Sequence, residues 1–546
     1  MLRKVYGERG ILFLLFVVLS SLPCKLQAID HYTGWPVTLE SGSAIFSSPT
    51  TYDLDGDPSN GKEVIVATAN GRVYAFHLDG AVYWQATTPN FDCPNAGPTN
   101  KVLSSPAVGA LRGDGVPYVV IGYGGIGVSS CGGGVVTLNG RTGEQVGVFN
   151  VKKDSPSENI YTVFSTPGLY DTDGDGTLEI GFGGFSRKIY LLANNGKKLI
   201  WSLITGDTVW SSPAFAKFNG ELNASMVIGT DISRNDRLIP PTPNGGYLYR
   251  LQTVFGTSGT GRVCTKIKNK RKKKRCIKRQ QTRSTRGETK YFGFRDAGAY
   301  DWYEEFDQTV FSAPIVAELL PDVNGREIVV GTGCFFPQDS SDKRGKSIYI
   351  YSNGGKRKQT LDAPGCNESS PTVADLDGDG DLEVVATFNA GGSNHGLGYV
   401  VAWEPVTGIE LWRTAPVNSG NDSNGAFKMS AIAGDLNGDG ADEVVVLNSG
   451  AAHILNGRTG SPLTCDSQIC RGGEARLRVG NTGRNTPVMT DIDGDGDLEL
   501  LVASGDTVYL YDDFTNVLGS QAGSNSPFST TWPEWRGNPA KTGEAP

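Results

Sequence analysis

Four carboxylates in the run Asp375-Leu-Asp377-Gly-Asp379-Gly-Asp381-Leu-Glu383 stand at positions 1, 3, 5 and 9 of one short loop. Asp375, Asp377, Asp379 and Glu383 would turn their oxygens into one small space, and glycines at positions 4 and 6 let the backbone bend around it. So much negative charge repels itself unless a cation sits inside. Calcium is the natural choice, being hard, oxygen-seeking and tolerant of irregular geometry. An EF-hand would need its bidentate Glu at position 12 and helices on both flanks, whereas the acid here falls at position 9 between Val-rich runs. A metal-free polar turn is the alternative for one such loop.

The loop recurs. Well-formed copies are Asp53/Asp55/Asp57, Asp171/Asp173/Asp175/Glu179, Asp375/Asp377/Asp379/Glu383, Asp435/Asn437/Asp439/Glu443 and Asp491/Asp493/Asp495/Glu499. In the first, Pro58 and a small insertion move the closing acid to Glu63. About five calcium sites are therefore expected. Three further copies have decayed, at Ala110–Asp114, Lys217–Glu221 and Glu318–Asp322, and Arg112 or Lys217 would oppose a cation there.

The elements that position these loops repeat with them. Eight strand starts of Ser-Pro type lie mostly 45 to 60 residues apart, at Ser47-Ser48-Pro49, Ser104-Ser105-Pro106, Ser165-Thr166-Pro167, Ser211-Ser212-Pro213, Ser312-Ala313-Pro314, Ser369-Ser370-Pro371, Ser430-Ala431 and Thr486-Pro487. Each copy reads as strand, acidic loop, second strand, a third of alternating character such as Arg72–Phe76, a turn, and a fourth ending in Trp84, Trp201 or Trp412. Four antiparallel strands repeated radially make an all-β chain, a β-propeller of eight blades, or seven if the poorly matching fourth copy is something else. Residues 29–546 are read as one propeller domain, with 515–546 as a C-terminal tail. The segment Trp35–Leu39 has no preceding strands and is expected to complete the last blade and hide its edge.

On these loops and their blade register, the chain resembles the FG-GAP/VCBS repeat family, whose integrin-α-like propellers carry calcium in Asp-x-Asp-Gly-Asp-Gly loops. The flanks Gly34-Trp-Pro-Val and Trp532-Pro-Glu-Trp-Arg-Gly-Asn-Pro-Ala-Lys-Thr-Gly543 are similar to those of secreted members. The resemblance implies ions that tie two strands of a blade together. It leaves the role open, since the family includes adhesins, receptors and lyases.

Residues 1–28 read as a secretory leader: Arg3, Lys4 and Arg9, an apolar run Ile11–Leu22, and a small residue at Ala28. An exported chain, secreted, periplasmic or at the cell surface, is expected. Eight cysteines follow the leader, Cys93, Cys131, Cys264, Cys276, Cys334, Cys366, Cys465 and Cys470, and suggest disulfides, with neighbours pairing in chain order. No Cys-Cys pair, Cys-x-x-Cys, Gly-x-Ser-x-Gly or His-Glu-x-x-His occurs. The four histidines are isolated in sequence, and Arg112-Gly113-Asp114 matches an integrin-recognition tripeptide only on a decayed loop.

One stretch breaks the pattern. Arg262–Lys290, inserted in the fourth blade, holds fourteen Lys or Arg and one acid. Beyond the leader the chain has 46 basic and 57 acidic residues, and 32 against 56 without this insertion. Lys270, Arg271, Lys272, Lys273, Lys274 and Arg275 are thus a candidate polyanion site on an acidic body, on the face that carries the acidic loops. The competing reading is a solvated loop. It has no aromatic residue before Tyr291, so base stacking with nucleic acid has no support. The expected role is a binding or adhesion module for a protein or glycan, without catalysis. The alternative is a calcium-dependent polysaccharide lyase. Ligand contact is expected from Phe91–Lys101, Gly122–Gly134 and Cys334–Gly345, on the face opposite the calcium loops.

Overall fold

The computed structural model describes residues 29–92, 101–125, 132–154, 160–205, 207–231, 245–254, 300–306, 308–333, 346–365, 367, 369–389, 397–414, 417–418, 430–448, 450–463, 477–480, 485–512, 514, 518, 530–534 and 536–545. The leader, all the cysteines and the basic insertion, with their expected disulfides and polyanion site, lie outside the described residues.

Eight antiparallel four-stranded sheets form the blades of a propeller ring. Blade 3 shows the plan: Gly168–Tyr170, Glu179–Gly184, Lys188–Leu192 and Leu199–Ile204 pair in chain order from the innermost strand outward. The fourth copy is a full blade, Ala214–Ala216, Ser225–Gly229, Tyr247–Gln252 and Tyr300–Glu305, which settles the count at eight. Blade 6 carries one extra short strand, Val417–Asn418. The ring closes as expected: Val37–Thr38 pairs with Thr507–Tyr511 as the outermost strand of blade 8.

Hydrophobic burial lies between blades rather than within them. Leu54, Ile65, Ala67, Val73 and Trp84 of blade 1 pack on Val108, Val119, Ile121 and Val136 of blade 2. A lone blade would leave both faces wet, so stability belongs to the stack.

Two polar devices repeat between neighbours and explain sequence signals. In six blades the hydroxyl at the Ser-Pro-type strand start accepts the backbone N–H of the equivalent residue one blade earlier. Ser48 donates to Ser105 (2.9 Å), Ser105 to Thr166 (3.2 Å), Thr166 to Ser212 (2.9 Å) and Ser370 to Ser430 (2.9 Å). Across the closure, the Thr486 N–H reaches Ser48 Oγ at 2.8 Å. The second device is tryptophan. Nε1–H of Trp35, Trp84, Trp201, Trp302 and Trp412 donates to a carbonyl of the next blade, at Leu78, Gly140, Thr253, Asn353 and Gly457, over 2.5–3.0 Å.

The fourth strands do not end in tryptophan, as the sequence suggested. They run Val82–Thr87, Leu199–Ile204 and Glu410–Arg413, with Trp84, Trp201 and Trp412 at the third position. A register slip beside the turn, as at Ala75/Phe76 in blade 1 and Ala402/Trp403 in blade 6, sets the rings facing the next blade.

Candidate metal centres

The first strand of each blade runs outward along the channel into the acidic loop, and the second returns, so all the acidic loops share one face. Glycines at loop positions 4 and 6 have positive φ, as at Gly378 (80°) and Gly380 (92°), a conformation that a Cβ would oppose. The position-1 carboxylate then collects the loop's own N–H groups. Asp375 Oδ1 accepts from Gly378 (2.8 Å) and Asp379 (3.1 Å), and its Oδ2 from Gly380 (3.1 Å). Asp171 is held in the same way by Gly174, Asp175 and Gly176.

The closing glutamate, at position 9 except in blade 1, shuts the loop from below. Oε2 of Glu63, Glu179, Glu383, Glu443 and Glu499 accepts the N–H of position 2, at Leu54, Thr172, Leu376, Leu436 and Ile492, over 2.7–3.1 Å. These glutamates are buried at 5% exposure or less. Burial, with the neighbouring loop carboxylates, pushes Glu383 up to about 8 and Glu443 and Glu499 up to about 9. Glu63 and Glu179 are raised for the same leading reason.

Acidic ligand atoms come within 4.8 Å of one another in Asp171/Asp173/Glu179, Asp375/Asp377/Glu383 and Asp491/Asp493/Glu499. The fifth-position acids stand outside these trios. Asp175, Asp379 and Asp439 each accept the N–H of a residue two further on, Thr177, Asp381 and Ala441, at Oδ1, closing an Asx turn. Asp495 caps Asp497 and also forms a second trio with Asp497 and Glu499. In blade 7, Asn437 donates to Glu443 Oε1 at 3.1 Å, and Arg458 reaches Asp439 Oδ1 at 3.4 Å. In blade 1 the insertion turns Asp57 to cap Ser59 at the head of a short 3₁₀ turn, and Asp53 accepts from Gly56. The blade 1 trio is Asp55, Glu63 and His77, with His77 Nδ1 3.2 Å from Glu63 Oε1. Read along the sequence, His77 stood alone; it comes opposite Glu63 because the third strand pairs Phe76 with Val64.

The donor sets suit a hard cation. They are oxygen-rich, and Glu499 Oε1 is buried without a hydrogen-bond partner. Calcium would be held by Asp171, Asp173 and Glu179, by Asp375, Asp377 and Glu383, and by Asp491, Asp493 and Glu499. It would offset the clustered charge and tie first strand to second.

The decayed loops have other solutions. In blade 4 the Arg250 guanidinium bonds Glu221 and lies over the Phe218 ring at 4.2 Å, so a side chain supplies the positive charge. In blade 2 Arg112 lies over the Tyr118 ring at 4.6 Å, and Tyr118 donates to Asp114 at 2.7 Å, which ties that tripeptide into its own loop. Blade 5 keeps the glutamate alone: Glu327 accepts from Leu319 and Leu320 at 2.9 and 3.1 Å, with Oε1 unpartnered. Sequence reading missed this residue because its loop carries no Asp-Gly signature.

At the other mouth of the channel, half-buried aromatic rings precede the serine pairs. Phe164 and Trp210 are 4.8 Å apart, Trp210 and Phe311 5.3 Å, and Phe46 reaches Phe164 at 6.4 Å. Sequence reading missed a signal for them: each directly precedes a Ser-Pro-type strand start, in a different blade.

The FG-GAP-like repeat family matches residues 435–502, and the family described as outer membrane protein assembly factor BamB matches residues 36–246. No curated protein matches the chain. Among solved structures, a quinohemoprotein alcohol dehydrogenase from Comamonas testosteroni is similar, with a TM-score of 0.50 at 13% identity, over 90% of this chain and 77% of that one. BamB from Moraxella catarrhalis gives 0.46 at 14% identity, over 89% and 100%. The rhamnogalacturonan lyase YesW gives 0.44 at 13% identity, over 95% and 96%. No helix among the described residues is long and apolar enough to cross a membrane. With blades, loop register and repeat match in agreement, the chain is an eight-bladed β-propeller of FG-GAP-like repeats.

Proposed function

We propose that this is an exported, calcium-stabilised propeller that works by binding a ligand rather than by catalysis. The observation that carries the metal half is the convergence of buried Glu383 and Glu499 with loop aspartates on one face. In support of export stand the leader-like N-terminus and the match of residues 36–246 to a family named for outer-membrane assembly. Ligand contact is assigned to the opposite mouth, where Phe164, Trp210 and Phe311 offer half-buried aromatic surface to a protein or glycan. The basic insertion, leaving blade 4 after Gln252 on the acidic-loop side, is a second contact for a polyanion.

The test is a binding and turnover panel of acidic glycans, neutral glycans and nucleic acids at low and high salt. Intact protein is compared with a chain lacking Arg262–Lys290 and with Trp210→Ala. Binding without product, lost in Trp210→Ala, is the expected result. Salt-sensitive binding lost only with the insertion would move the principal site to that segment. Product formation would replace the binding reading by a lyase.

A further inference from the structure

The innermost strand of every blade presents an edge to the channel, and its N–H groups need partners there. Residues 532–545 supply them, meeting seven blades in ring order. In blade 7, Ala433 and Trp532 exchange both backbone bonds at 2.9 and 3.0 Å. Met489 of blade 8 donates to Pro533 O at 2.8 Å, and the Thr50 hydroxyl of blade 1 donates to Glu534 Oε2 at 2.6 Å. Val108, Leu169, Phe215 and Val316 of blades 2 to 5 then donate to the carbonyls of Pro539, Ala540, Thr542 and Gly543 at 2.7–2.8 Å. Ala545 N–H returns to Val316 O at 2.8 Å. Apart from Thr50, each strand donor is the middle residue of a three-residue inner strand, as Leu169 is of Gly168–Tyr170.

The side chains fit the same cavity. Lys541 is 0% exposed and donates to Glu534, itself 2% exposed. Arg536, equally buried, donates to Pro213 O at 2.8 Å. Both Arg536 (φ 69°) and Lys541 (φ 58°) hold left-handed backbone, which a side chain adopts only when its surroundings over-determine it. A segment merely draped in a channel would relax from that conformation.

We propose that the channel is a peptide-binding groove, reading backbone at one donor in each of six blades and the Glu534 carboxylate through the Thr50 hydroxyl, and that residues 530–545, held in shape by their own Lys541–Glu534 pair, occupy it in cis as the element that locks the ring. Recognition by main-chain bonds with a few side-chain anchors is the logic of strand addition, bent into a circle. The groove is independent of the metal and ligand readings above.

A protease recognition sequence inserted after Ala522 of the full-length chain, cut to completion, tests this. The fragment bearing 530–545 is expected to stay with the ring through gel filtration and to leave only when the ring unfolds. A labelled synthetic peptide of residues 530–545, present in excess while the cut ring is unfolded and refolded, should be incorporated in place of the fragment. The same peptide with Lys541→Met should compete at least about a hundredfold less well, because it leaves Glu534 buried and unpaired. Loss of the fragment under native conditions, whether or not the ring unfolds with it, would overturn the proposal. Equal competition by the Lys541→Met peptide would overturn the role given to the Lys541–Glu534 pair in shaping the segment.

Discussion

A glutamate at the end of the acidic loop does two things that single substitutions can separate. Glu327 of blade 5 accepts two backbone N–H groups and joins no acidic trio among the described residues. Glu383 of blade 6 accepts one N–H and also faces Asp375 and Asp377. Replacing Glu327 by Ala strands two buried donors and should cost about 1–3 kcal/mol. Since no cation is expected in that loop, the fall in melting temperature should be equal in calcium and in chelator. Glu383→Gln keeps an oxygen for the Leu376 N–H but removes a ligand charge, so its defect should be large in calcium and small in chelator. Equal behaviour of the two variants would mean that position 9 serves the backbone alone and that blade 6 holds no ion.

Between blades, the tryptophan contacts make a prediction that needs no metal. Trp412 Nε1–H donates to the buried Gly457 carbonyl, and Gly460, at φ 67°, lies so close that an added Cβ would stand 2.5 Å from the indole ring. Trp412→Phe should cost about 1–3 kcal/mol through the unpaired carbonyl. Gly460→Ala should be at least as damaging, since it meets the ring and the backbone angle together. Urea melts with and without calcium would report both, and a neutral Gly460→Ala would show that the turn relocates freely. Strand number, blade order and ring closure were legible in the sequence because they rest on local signals: period-two runs, Ser-Pro starts and Asp-Gly loops. What joins one blade to the next was not. The tryptophans were visible as residues, but their placement at the third position of the fourth strand depends on a register slip. The hydroxyl series needs residues dozens of positions apart, one from each of six blades, to meet their neighbours. His77 entered its loop through strand pairing, and the channel segment meets seven blades, neither of which a local window contains, while Glu327 was local but sat in a loop without the Asp-Gly signature.

At the scale of the whole ring, the buried acids couple stability to pH and to cations. Glu383, Glu443 and Glu499 are raised to about 8, 9 and 9 from an ordinary 4.5, chiefly by burial, and Asp442 and Asp497 to about 7 from 3.8. A raised acid favours the folded state in its protonated form. Its contribution is fully present below the unfolded value and is lost as pH climbs through the folded one. In chelator the ring should therefore be most stable near pH 4.5 to 5 and lose stability progressively towards pH 9. Calcium binds the deprotonated form, so it competes with protons at these carboxylates and should oppose that loss. Melting temperatures across pH 5 to 9 should then separate increasingly between calcium and chelator, with the gap smallest at acid pH. Parallel curves would mean that the loops hold their charge without a metal. A gap that widens at acid pH instead would place cation binding on groups other than these glutamates.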